Sequence, residues 1–297
     1  MGKASRRRST RSSDEVRPAR SAPAPFVARP FEGLPSETEW VALREILPAA
    51  TAPVSLTRLD DTSCIPLTAT VTTVLPLAWP ALHRNGGAIF AATQSGATSG
   101  DASRDIAAAL LLAAAAEEGT PVATVPPPTA DSPRLQDVLD LSVPFEVTLH
   151  DGFDFWVGDA DLDEEGQASL ERANESVVPT ARIEGAASVY WCVINERAYV
   201  RWVLPYDEDT ATAALARLHA TEHDRLTPET RLLGAFRACG LLVPVWEVPT
   251  DAVAGDFAGP VAALATALDE AAGDSTPLSA EARRAKAGLL NRQVTLR

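Results

Sequence analysis

Cysteine is scarce: Cys64, Cys192 and Cys239 are the only three, and they stand far apart. No CxxC pair offers a zinc or redox site, and the three read as buried reduced thiols in a reducing cytosol. Long apolar runs are missing too. The longest, Ile106–Ala116, falls far short of the roughly 20 residues that span a bilayer. No apolar stretch follows the basic start, so Arg6-Arg7-Arg8 does not read as a secretory or twin-arginine signal, and Arg6 stands where a myristoylation motif wants a hydroxyl. The expectation is a cytoplasmic protein without membrane insertion.

Positive charge is also short. The formal net charge is −14, which argues against a broad nucleic-acid face on the folded body. Residues 1–20 are the exception, with Lys3, Arg6, Arg7, Arg8, Arg11, Arg17 and Arg20 against Asp14 and Glu15. Residues 1–36 combine Arg, Ser, Pro and Ala with few large apolar groups, and are expected to form a disordered basic tail. Lys3, Arg6, Arg7, Arg8 and Arg11 are its candidate contacts to nucleic acid, ribosomal RNA or another polyanion, since each can neutralise a phosphate and release counterions.

The richest structural signal is Ser188–Leu204, two β-branched and aromatic runs joined at Asn195-Glu196. With that loop, Val189, Trp191 and Val193 face Trp202, Val200 and Ala198 on an apolar face. Tyr190, Cys192 and Ile194 then share the other, half-covered face with Arg201, Tyr199 and Arg197.

Elsewhere, Ser36 with Glu39 three residues on has the capping-box pattern and opens a helix that Pro48 ends. Val54–Leu59, Leu67–Leu75 and Gly87–Thr93 read as strands, and Asp101 caps an Ala/Leu helix over Ala102–Glu118. The Pro-rich stretch Gly119–Pro133 reads as a linker, and Ser132-Pro133 opens a short helix to Asp140. Pro144–Leu149 and Phe153–Val157 look extended, and Glu164–Val177 helical. Asp207 opens a helix to about His219, and Thr227-Pro228 another that stops before Gly240. Leu241–Val248 reads as a strand that Pro244 pushes towards an edge, and helices near Ala258–Ala272 and Ser279–Gln293 follow.

Ile46-Leu47-Pro48 and Val74-Leu75-Pro76 resemble Val177-Val178-Pro179 and Val203-Leu204-Pro205 at nearly constant offset, an internal repeat. The expected fold is therefore α+β: two related helix–hairpin–helix units with mainly antiparallel sheets, C-terminal helices and the disordered tail. Residues 37–118 form the first unit, 119–143 the linker and 144–297 the second unit.

Motifs for chemistry are sparse. Asp159-Ala-Asp161-Leu-Asp163 starts like a calcium loop, but Glu164 stands where Gly is needed and Leu170 where Glu should close the site; acid before a helix explains it better. Gly96–Asp101 precedes a helix but lacks the Gly-Lys-Ser/Thr of a P-loop, and no Glu makes His219 and His223 an HExxH pair. No cofactor and no metal is assigned. The most unusual composition is His150-Asp151-Gly152-Phe153-Asp154-Phe155-Trp156. His150, Asp151, Asp154 and Trp156 are the pocket candidates, because a carboxylate near an imidazole poises it for acid–base work. The alternative is a turn plus an edge strand whose aromatics fill core space.

Taken together, the opening Met-Gly-Lys-Ala-Ser-Arg-Arg, Ala24–Phe31, Trp40–Thr51, Ser103-Arg104-Asp105 and Pro144–Trp156 resemble a domain family of unknown function from high-GC Gram-positive bacteria. Its members have sometimes carried preprotein-translocase or topoisomerase labels, which no motif of this chain supports. The resemblance implies no catalytic residues. The expected function is non-catalytic binding or regulation. The alternatives are an enzyme with a pocket around His150, Asp151 and Asp154, and a nucleic-acid- or ribosome-associated protein acting through the tail.

Overall fold

A computed structural model describes residues 22–57, 67–96, 99–158 and 161–291. The first sheet takes β1 (Ala50–Leu56), β2 (Leu67–Thr72), β3 (Ala81–His83), β4 (Ile89–Ala92), β5 (Thr120–Val122) and β6 (Thr148–Leu149), in the order β5-β3-β4-β2-β1-β6. Its pairs are antiparallel except β2 with β4. The second sheet takes β7 (Thr180–Arg182), β8 (Val189–Ile194), β9 (Arg197–Trp202), β10 (Arg231–Ala238) and β11 (Leu241–Val248), in the order β10-β11-β9-β8-β7 and antiparallel throughout.

Alternation along β4 sends Ile89 and Ala91 to one face of the first sheet and Phe90 and Ala92 to the other. The inner face joins α1 (Glu37–Glu45) and α2 (Ala102–Ala115) in the largest core, which also takes Tyr190, Val203, Leu241 and Val243 from the second sheet. The far face of the second sheet, with Val200, Trp202 and Trp246, packs on α5 (Glu208–Ala220), α6 (Ala258–Gly273) and α7 (Ala280–Asn291). The outer face of the first sheet carries Phe90 and Leu82 and is met by the turn Asp154–Trp156 and α4 (Glu164–Glu175). The fold is thus mixed α+β with two sheets.

The hairpin has the expected register, with Val189 opposite Trp202 and Trp191 opposite Val200. Asn195 (φ 50°) and Glu196 (φ 64°) both take the left-handed conformation of a type I′ turn, whose twist matches the strands. The second face is covered more fully than expected. Tyr190, Cys192, Tyr199 and Arg201 are all buried: Tyr190 packs into the core with α1 and the first sheet, and Cys192 and Tyr199 into a cluster with Val178, Leu233, Phe236 and Val245. Burial pushes the Cys192 thiol up, so it stays protonated at neutral pH.

Several expectations are corrected. The segment 22–36 is part of the fold: Phe31 is fully buried and Leu34 nearly so, and Arg134 Nη2 donates to Pro30 O at 2.8 Å. β5 falls within the Pro-rich stretch and pairs with β3, and α3 (Leu135–Val138) follows it. Phe153–Val157 is a 3-10 turn rather than a strand. Thr227-Pro228 opens no helix. Thr230 Oγ1 instead accepts from Leu226 N and Thr227 N at 3.0 Å, and Arg231–Ala238 is strand β10. A bulge between Leu232 and Gly234 brings Leu232 and Ala235 to one face, a three-residue spacing that imitates a helix. β11 is interior, not an edge: Pro244 stands just past its ladder with β9, which runs Val245–Val248.

Candidate binding cleft

The cleft begins with an unfavourable turn. After β2 the chain makes the 3-10 turn Pro76–Ala78 with Leu77 at φ 54° and Ala78 at φ 55°. Left-handed backbone costs a non-glycine residue about 1–2 kcal/mol. Leu77 is nevertheless 84% exposed, so burial of its side chain does not offset that cost.

Across from it, the aromatic segment is fixed from three sides. Phe153 N donates to Asn174 Oδ1 on α4 at 2.7 Å. Trp156 stacks on Phe153 at 4.3 Å between centroids, and its Nε1 donates to Val74 O at 2.9 Å. Arg84, just after β3, lies 4.4 Å over the Phe90 ring and donates through Nη2 to Phe155 O at 2.8 Å and to Trp156 O. Arg84 is a positioning residue: it holds the Phe155–Trp156 backbone against the first sheet. Between these parts opens a cleft of about 890 Å³ lined by Leu77, Leu82, Arg84, Trp156, Leu162 and Leu170, among others.

Of the four expected pocket residues, only Trp156 lines this cleft. His150 follows β6, with Nε2 2.8 Å from Thr51 Oγ1 and its ring 4.8 Å from Phe155. Burial pushes its pKa down, against the opposing charges of Asp151 and Asp154. Both carboxylates are exposed, and His150 is hydrogen-bonded to Thr51 rather than to either of them. The aromatics of the segment fill an apolar cluster with Ala49 and Leu170. Lys3, Arg6, Arg7, Arg8 and Arg11 lie outside the described residues.

The residue that sequence reasoning misplaced is Glu39. Ser36 has a left-handed backbone and makes no side-chain cap, and Glu39 turns instead into the joint between the sheets. Its carboxylate accepts from Arg182 Nη1 and Nη2 (2.7 and 3.1 Å), Ser188 N (3.1 Å), Ser188 Oγ (2.9 Å) and Tyr190 Oη (2.5 Å). Burial pushes this carboxyl up, but the hydrogen bonds from Arg182 and Tyr190 and the Arg182 charge outweigh it and hold the pKa below 4.5. Burial and the Glu39 charge push Tyr190 up. One signal was in the sequence: Glu39 precedes Leu43 by four residues and Ile46 by seven, so it sits on the apolar stripe of α1.

The described parts of the weaker motifs are satisfied internally; Ala97, Thr98, Asp159 and Ala160 lie outside the described residues. Ser99 N donates to both Asp105 oxygens at 3.2 and 3.0 Å. Asp163 caps α4 through Gly166 N at 2.8 Å, and His219 Nδ1 lies 2.6 Å from Asp224 Oδ2. Among the described residues no group of three or more His, Cys, Asp or Glu side chains is placed to hold a metal ion. Nor is any described helix long and apolar enough to cross a membrane.

Two sheets with interleaved helices and a partly apolar cleft on one outer face place the molecule in the mixed α+β class. Residues 30–297 match the model of DUF5926, a family of unknown function, and the chain belongs to that family. No curated protein and no solved structure matches the chain.

Proposed function

We propose that this protein is a cytoplasmic, non-catalytic binding protein whose ligand occupies the cleft on the outer face of the first sheet. The supporting observation is the lining: apolar side chains of Leu77, Leu82, Trp156 and Leu162 face a volume of about 890 Å³, within the usual range of ligand sites. The enzyme alternative draws no comparable support, since His150 is paired with Thr51 and Asp151 and Asp154 point to solvent.

The test uses Nile red, a neutral apolar dye, titrated into the full chain with fluorescence as the readout. Saturable binding is expected, weakened about tenfold, equivalent to about 1.4 kcal/mol, by Leu77→Asp or Leu162→Asp. Leu77 is 84% and Leu162 39% exposed, so both variants should keep the wild-type melting temperature. Absence of saturable binding, or binding indifferent to both substitutions, overturns the reading.

A further inference from the structure

We infer that the occupant of the cleft is a short segment of a partner protein that carries bulky apolar side chains flanked by Lys or Arg; this rests on the cleft being the binding site. The apolar part follows from the floor and from Leu77, which the strained turn holds out at the rim. The charge follows from two acidic edges. On one side Glu118 Oε2 accepts from Gly86 N, a lining residue, at 3.1 Å. On the other, exposed Asp161 and Glu165 flank Leu162 and Gly166, which also line the cleft, and Asp163 caps the same turn of α4.

Arg84, the basic residue of the lining, already serves the ring of Phe90 and the carbonyls of Phe155 and Trp156. An anionic head group would therefore meet carboxylates on both edges, whereas a ligand with a cation at each end of an apolar middle is matched on both. A peptide segment supplies that pattern. The chain's own start supplies the cations without the apolar middle: Arg6, Arg7, Arg8 and Arg11 stand among Ser and Thr.

Two fluorescein-labelled peptides test this against the full chain by anisotropy: acetyl-Lys-Leu-Phe-Arg-Leu-Lys and acetyl-Glu-Leu-Phe-Glu-Leu-Glu. The cationic peptide is expected to bind at least about tenfold tighter and to weaken as salt rises. A Glu118→Gln, Glu165→Gln double variant should weaken it about fivefold while leaving Nile red binding unchanged. Equal or tighter binding of the acidic peptide, or indifference to the double variant, overturns the inference. Nile red binding without peptide binding also overturns it and leaves the cleft reading standing; loss of both removes both. A full-length variant with Arg6, Arg7, Arg8 and Arg11 changed to Ser separates the remaining occupant. Unchanged peptide affinity supports a partner segment, and a gain of about tenfold or more shows that the chain's own start competes for the cleft, which overturns it.

Discussion

The second sheet is buried on both faces, against α1 and the first sheet on one side and α5–α7 on the other, whereas the first sheet is closed on its inner face and leaves a cleft on its outer one. The difference is one of polar accounting. Inside the second sheet's joint every strong acceptor must find donors, and Glu39 finds four donor groups. On the outer face of the first sheet Leu77 and Leu162 are left in water. Buried positions carry the stability and the half-open face is free to carry recognition.

The largest expected effect comes from breaking the joint. Glu39→Ala strips Arg182 of its carboxylate and leaves Ser188 N and Tyr190 Oη without their acceptor, and should cost about 3–5 kcal/mol in urea unfolding. The pH dependence has a definite sign. The folded carboxyl titrates below its ordinary value of 4.5, so its contribution is complete above that pH and is lost as pH falls through the folded value. Glu39→Gln should flatten this acid limb, and an unchanged limb would show that the carboxylate is not the group responsible.

A difference of about 2–3 kcal/mol contrasts the two sheets directly. Trp246 is fully buried among α5, α6 and the second sheet, and Trp246→Ala should cost about 3–5 kcal/mol. Trp156, half-buried at the cleft, should cost about 1–2 kcal/mol on truncation but weaken Nile red binding. Similar stability losses at both positions would mean that the outer face is closed after all.

The smallest effect separates two strained turns. Glu196→Gly relieves a left-handed residue in the hairpin and should raise stability by about 1 kcal/mol. Leu77→Gly should give a similar gain and also weaken cleft binding. A gain at Leu77 with full retention of binding would show that its side chain has no part in recognition.

Legibility in the sequence followed locality. The Ser188–Leu204 hairpin could be read because its register is set by alternation within 17 residues and a two-residue loop. The Asp101 cap and α2 were local in the same way: Asp101 Oδ1 accepts from Ser103 N at 3.2 Å. Arg231–Ala238 was not legible because Thr227-Pro228 imitates a helix start and Gly240 a helix stop, while the bulge at Leu232/Gly234 breaks the two-residue alternation that marks a strand. The candidate site was legible at one residue, Trp156. The rest of the cleft joins β3, the Pro76–Ala78 turn and α4, and no local pattern announces that three such segments meet. Glu39 had a plausible local partner at Ser36, and its true partners lie 143 to 151 residues away.

That separation sets a schedule during synthesis. α1 leaves the ribosome early with Trp40, Leu43 and a carboxylate on the face it must bury, while Arg182, Ser188 and Tyr190 have yet to be made. At roughly 5–20 residues per second the wait is about 7–30 s. For that interval the apolar part of the face can already pack on Phe31 and then Phe145, while the carboxylate waits for the donors that will bury it. The hairpin that finally brings Tyr190 and Ser188 to Glu39 also carries Tyr190 of the second sheet into the core of the first.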